Sequence, residues 1–212
     1  MKARRQETGR VVRQAAAVCL GYPGRDVIAT SGLLRAALAE SAPREMNNFE
    51  PLLAYWNSSD LRAIQTHYVD VFDLSRKHSL YLSYWTDGDT RRRGEVLAAF
   101  KQRYRRSDFL VDTGGELPDY LPMVLEYAAI VDPVDGTALL QEYRSSVELL
   151  RLALEERGTP YAGVLTAVCS TLPGPSPTDR KAVMAMAATG PPTEMVGLEP
   201  YGTPLLPMGG SR

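Results

Sequence analysis

Leu61-Arg-Ala-Ile-Gln-Thr-His-Tyr-Val-Asp-Val-Phe72 decides the fold class. Leu61, Ile64, Tyr68, Val71 and Phe72 recur at three- and four-residue intervals, so one face of a helix is apolar and the other polar. Ser58 or Ser59 just ahead can supply the N-cap. No stretch of the chain alternates with the period of two that a half-buried strand requires, so the expectation is an all-α protein.

The same spacing continues upstream. Val11, Val12, Ala15, Ala16, Cys19 and Leu20 form a stripe that stops at Gly21-Tyr-Pro-Gly24. Val27, Leu33, Leu34, Ala37 and Leu38 predict a second helix reaching Pro43, and Phe49, Leu52, Leu53 and Trp56 a third with Pro51 in its first turn. Downstream, Leu80 to Trp85 is an aromatic turn or two, broken at Gly88, with Asp87 and Asp89 available as caps. A helix over Thr90–Arg106 turns Val96, Leu97, Phe100 and Tyr104 inward. Gly114-Gly115 marks a loop, and Asp119 is expected to cap a helix carrying Leu121, Val124 and Leu125, closed by Asp132-Pro133. A long helix is predicted over Thr137–Arg157, and another over Tyr161–Cys169. The pattern predicts one helical domain of about eight or more helices over residues 1–171. Residues 172–212 read as a Pro-rich, extended tail with a short helix at 180–188.

Composition excludes several function classes. Hydrophobic residues make up 44% and charged residues 23% of the 212, and 24 basic residues against 25 acidic ones leave a net charge of -1, so the chain folds and has no global attraction to nucleic acid or an anionic membrane. No run approaches the roughly 18 apolar residues of a membrane span, and Met1 to Arg10 lacks the apolar stretch of a secretory signal. Cys19 and Cys169 each sit in an apolar helical stretch and read as core residues of a cytoplasmic protein.

Catalytic motifs are missing. His67 and His78 lie eleven positions apart, with no HExxH, glycine-rich phosphate loop or GxSxG. Two regional charge features remain. Arg91, Arg92 and Arg93 open a basic stretch that suits a phosphate, or simply a solvated helix face. Asp112 to Glu156 is rich in acid, opposed only by Arg144 and Arg151, and would attract a basic peptide. A nucleotide-dependent enzyme using Arg91–Arg93 is therefore one alternative, weakened by the lack of a phosphate loop.

Tyr68-Val-Asp-Val-Phe-Asp-Leu-Ser-Arg-Lys-His-Ser-Leu-Tyr-Leu-Ser-Tyr-Trp-Thr-Asp-Gly-Asp-Thr-Arg-Arg-Arg-Gly94 closely resembles the signature stretch of the NarJ family, within the TorD-like group of all-helical molybdoenzyme chaperones. Glu116-Leu-Pro-Asp-Tyr-Leu-Pro-Met-Val-Leu-Glu-Tyr-Ala-Ala129 resembles the second signature, and Tyr120 stands where many relatives carry His. The resemblance covers about Val11 to Cys169. It implies a non-enzymatic cytoplasmic chaperone with no resident cofactor. Its implied client is the apo, molybdenum-containing catalytic subunit of respiratory nitrate reductase, bound by its N-terminal segment and kept competent for cofactor insertion and membrane assembly. Contact with the membrane would be only through the client. Another molybdoenzyme or a twin-arginine leader is the alternative client.

Helix-in-groove recognition fits such a task. Tyr68, Phe72, Leu80, Tyr81, Tyr84 and Trp85 are the candidate groove wall, and Asp70, Asp73, Asp119 and Glu126 the candidate partners for basic residues. Apolar spacing equally suits Leu80, Tyr81, Leu121 and Leu125 to the core. The polar positions to mutate first are Asp70, Asp73, Arg76, His78, Asp119 and Tyr120.

Overall fold

The computed structural model describes residues 2–87, 92–107 and 114–189, and among them every regular element is helical. The expected break at Gly88, the caps Asp87 and Asp89, Thr90, Arg91, Asp112 and the tail from 190 onward lie outside the described residues or side chains. Among the described residues twelve α-helices build the body. The first is α1 (Lys2–Leu20), which buries Val12, Ala15, Ala16, Cys19 and Leu20 and ends where predicted, at Gly21.

The expected second helix is two, α2 (Arg25–Ala29) and α3 (Ser31–Ser41). At the break, the Thr30 hydroxyl and amide both donate to the Val27 carbonyl, 2.6 and 3.1 Å away, closing a tight turn. The next helix, α4 (Pro43–Ser58), starts earlier than predicted, so Pro51 is interior instead of in the first turn. Asn47 and Pro51 both lie on its exposed side, where water can take the carbonyl that proline leaves unbonded. In α5 (Leu61–Tyr68) the cap is neither Ser58 nor Ser59: the Asp60 carboxylate accepts from the Ala63 amide at 2.9 Å.

Beyond these come α6 (Tyr84–Asp87), α7 (Arg92–Arg105) and α8 (Leu121–Glu126). Phe100 and Tyr104 of α7 are buried as expected. The predicted long helix is broken at Tyr143 into α9 (Pro133–Glu142) and α10 (Arg144–Arg157). Tyr143 leaves helical geometry and packs its ring 5.0 Å from Phe100. Last come α11 (Tyr161–Ser170) and α12 (Arg180–Thr189).

The core lies where α11 packs against both α1 and α4, filled by Trp56, Phe49 and Leu52 with Tyr161, Val164 and Val168. Gly163 lets α11 approach α4 backbone to backbone, since a Cβ there would fall 2.0 Å from the Asn48 carbonyl oxygen. Cys19 and Cys169 are buried, free thiols, pushed above their ordinary range by burial. The acidic stretch is less available than its sequence implies. Glu148 is fully buried between Arg144 and Arg151, while Arg103 engages Asp135 at 2.7 Å and Glu142 at 2.8 Å. Packing also continues past residue 171, because Leu172 and Val183 are buried and α12 rests on α10.

Candidate functional site: a tyrosine-lined groove

Past Tyr68, α5 runs into one π turn, Val69–Asp73, closed by the Leu74 amide on the Val69 carbonyl at 3.0 Å. The added residue re-aims the chain: Val71 and Phe72 point into the core, whereas Asp73 and Leu74 point out. A single 3-10 turn follows, Arg76–His78, and the buried His78 ring folds it back, Nδ1 lying 2.9 Å from the Val71 carbonyl oxygen. Burial lowers the His78 pKa.

Next, the first signature block is joined to the second. Tyr81 and Tyr120 form an antiparallel bridge in which the Leu82 amide donates to Asp119 O at 3.0 Å and the Leu121 amide to Leu80 O at 2.8 Å. Asp119 does not cap α8. Its side chain is fully buried and accepts from the Ser83 amide (3.0 Å) and hydroxyl (2.6 Å). The resemblance assigned it to the client surface; here its carboxylate ties the two blocks together.

Between the blocks lies a groove of ≈ 600 Å³. Five tyrosines line it: Tyr22, Tyr68, Tyr81, Tyr84 and Tyr120, with Phe72 and Leu80 beneath. Tyr68 holds edge contact with Tyr22 at 5.5 Å and donates its hydroxyl to Leu20 O at 2.9 Å. The Tyr81 and Tyr120 rings are 5.5 Å apart. Burial raises the pKa values of Tyr68, Tyr81 and Tyr120, so at neutral pH the walls offer neutral hydroxyls and ring faces. Charge enters at the rim. Asp73 and Glu116 lie on one side, Glu116 accepting from the Tyr81 hydroxyl at 2.5 Å, and the Asp73 carboxyl is raised by burial and then by Glu116. Arg76 also lines the groove, as does Arg93, whose guanidinium sits 5.9 Å over the Tyr81 ring.

Of the residues singled out from the sequence, Tyr68, Phe72, Asp73, Arg76, Leu80, Tyr81, Tyr84 and Tyr120 meet in this groove. The others lie elsewhere. Asp70 borders a separate shallow depression with His67 and Arg157. His78 and Asp119 are internal, and Glu126 is exposed but not on the groove wall. Trp85 is half-buried beside it, its indole Nε1 donating to Ser79 O at 2.9 Å. Sequence reasoning missed Tyr22, Arg93 and Leu117 as wall residues. Tyr22 belongs to a Gly-Tyr-Pro-Gly turn that reads only as punctuation, and no local pattern places it near Tyr68. Glu116 and Leu117 did open the second signature block. Of the Arg91–Arg93 cluster, Arg93 faces the groove and Arg92 is exposed.

The model of the nitrate reductase delta subunit family matches residues 35–167. The chain belongs to that family. It is 33% identical to the probable nitrate reductase molybdenum cofactor assembly chaperone NarJ of Bacillus subtilis, across 78% of this chain and 90% of the relative. It is 29% identical to the Escherichia coli chaperone NarJ over 56% of this chain and 46% of the relative. The nitrate reductase-like protein NarX of Mycobacterium tuberculosis is 42% identical over 76% of this chain, which spans only 24% of NarX. Among solved structures, a putative redox enzyme maturation protein from Archaeoglobus fulgidus superposes with a TM-score of 0.58 at 20% identity, covering 76% of this chain and 91% of its own, and shares the fold. Among the described residues no helix is long and apolar enough to cross a membrane, and no group of three or more His, Cys, Asp or Glu is placed to hold a metal.

Proposed function

We propose that the chain is a cytoplasmic assembly chaperone that binds the apo catalytic subunit of a respiratory nitrate reductase through its N-terminal segment. It keeps the subunit open for molybdenum cofactor insertion and for membrane assembly. The cofactor is the client's; the chaperone works by binding and releasing a polypeptide, without turnover chemistry. The supporting observation is that the two family signature blocks are zipped together at Tyr81 and Tyr120, so that their tyrosines and carboxylates line one groove. Its aromatic floor suits the apolar face of an amphipathic helix, and its rim carboxylates, Asp73 and Glu116, suit basic residues flanking that face. Tyrosine fits such a surface, presenting large contact area at little rotamer cost with a hydroxyl for local hydrogen bonds.

Isothermal titration tests this directly, with a peptide from the extreme N-terminus of the nitrate reductase catalytic subunit and, in parallel, a dimethyl sulfoxide reductase leader. The expected result is binding of about micromolar Kd or tighter for the first peptide alone. Preference for the leader, or heat from neither, refutes the assignment of the client.

A further inference from the structure

Among the described side chains of residues 172–187 most are exposed; Leu172 and Val183 are buried, and Pro177 and Met186 partly so. What fastens the segment is polar. Arg144, itself buried, donates to the carbonyls of Pro173, Gly174 and Pro175, the last two at 3.0 Å, and Arg151 donates to Pro177 O at 2.6 Å. Between the two arginines the fully buried Glu148 accepts from both. The prolines here lack an N–H, so the segment lies on α10 with fewer donors needing partners. Such a fastening opens all at once: lifting one carbonyl leaves a buried guanidinium N–H without its partner, a penalty that ends only when the arm leaves and water enters.

Elsewhere along α10, Ala153, Glu156 and Arg157 border a hollow of ≈ 420 Å³ opposite Ser75, Lys77 and His78. The turn that carries His78 packs on α10, and Arg180 of the arm reaches the same hollow to pair with Glu156 at 3.2 Å. Ser75 borders both this hollow and the tyrosine-lined groove. The arm, α10 and the groove wall are thus stacked in series.

We infer that residues 172–189 are a releasable clasp on α10, whose closure holds the Ser75–Ser79 wall of the groove in its binding shape; the functional consequence rests on the groove being the client site. Closed, the clasp presses α10 against the turn that carries Arg76 and His78. Released, it frees that turn to move, so the state of the arm regulates how long a client stays bound.

Gly174→Ala in the full chain is the test. Gly174 holds φ +84, and a Cβ there would meet Arg144 Nη1 at 3.3 Å, so alanine strains the fastening while leaving every charge in place. Hydrogen exchange read by mass spectrometry on the free protein should rise about tenfold both in 172–189 and in 75–79, with α3 and α4 unchanged. The idea fails if the arm loosens alone, if exchange rises everywhere, or if the arm does not loosen. Arg180→Ala, which removes only the exposed pair with Glu156, should leave both segments as they were; loosening of both in this variant would show that the buried arginines are not the fastening. Titration with the client peptide separates the two readings. If the exchange is coupled and Gly174→Ala weakens client binding several-fold, clasp and groove both stand. Coupled exchange with unchanged client affinity overturns the regulatory role. Coupled exchange in a protein that binds no client at all sinks the groove assignment and leaves the clasp.

Discussion

Among the described residues two π turns occur, built alike and used differently. Val69–Asp73 follows α5 and Tyr127–Val131 follows α8, and each is closed by the same five-residue reach, Leu74 to Val69 and Asp132 to Tyr127, both at 3.0 Å. The second is packed against α1 and α9, with Ile130 exposed and Tyr127 and Asp132 bordering a hollow of ≈ 490 Å³. Ala128 and Ala129 are buried, Arg10 donates to the Ala129 carbonyl at 2.8 Å, and Asp132 just beyond caps α9 through the amides of Val134 and Asp135. The first opens onto the groove, and its last residue, Asp73, faces Glu116 there instead of starting a helix. What differs is the sequence after the turn: Asp132-Pro133 launches a helix at once, whereas Leu74-Ser75 leads into a 3-10 turn beside the groove. One backbone device serves as a packing joint in one place and as the edge of the candidate groove in the other.

The largest test of that contrast is Gly136→Ala. A Cβ at 136 would lie 2.3 Å from the Ala128 Cα, so α9 must move off the second turn, with an expected loss of about 3 kcal/mol seen as a lower urea midpoint. A midpoint within error of the parent would show that the joint is not tight. Tyr68→Phe touches the first turn more gently: losing the hydroxyl bond to Leu20 O should remove about 1 kcal/mol of stability, because a buried carbonyl loses a partner.

Groove carboxylates should behave oppositely to the packing joint. Asp73 has its pKa raised in the folded protein, so its ionisation favours the unfolded chain: stability present at low pH is partly lost as pH rises through the folded value. Asp73→Asn should therefore leave neutral-pH stability unchanged or slightly higher. It should weaken client-peptide binding by up to about 1 kcal/mol and flatten its salt dependence. Salt-independent affinity in the parent would mean that the aromatic floor alone carries recognition.

The smallest effect concerns acid. His78 pins the first turn through Val71 O and has its pKa depressed below its ordinary 6.5, mainly by burial, whereas no histidine touches the second. Its contribution is fully present above the unfolded value and is lost as pH falls through the folded one. Relative to the intrinsic rate at each pH, amides of residues 69–74 should lose protection in mild acid, those of 127–132 should not, and His78→Gln should abolish the difference.

The helical class was legible because burying a stripe at 3.6 spacing is a local property, and Val12 to Leu20, Phe49 to Trp56 and Val164 to Val168 each show it without help from the rest of the chain. Ends and breaks were harder. Asp60 outcompeted Ser58 and Ser59 as a cap, and Tyr143 broke α9 from α10 while packing on a phenylalanine more than forty positions away in sequence. The groove was half legible. Resemblance brought Tyr68, Asp73, Tyr81 and Tyr120 forward, but it could not tell that Asp119 turns inward to Ser83 or that Tyr22 arrives from the far end of α1. Burial of a polar group depends on what packs over it, and that is a long-range fact. The acidic stretch misled for the same reason: Glu148 counts as charge in a composition, yet it is consumed inside the protein by Arg144 and Arg151.

The chain has two tryptophans, and their placement makes the protein its own optical probe. Trp56 is sealed in the core at 2% exposure, while Trp85 sits half-buried at the edge of the groove with its indole fixed on Ser79 O. A soluble quencher such as acrylamide reaches the second ring far more readily than the first, so quenching resolves one emitter from the other without a label. On the proposed reading, a peptide that fills the groove and reaches past Ser79 should reduce acrylamide quenching of Trp85 and leave that of Trp56 unchanged, so stopped-flow fluorescence tests peptide arrival and departure on the unmodified protein.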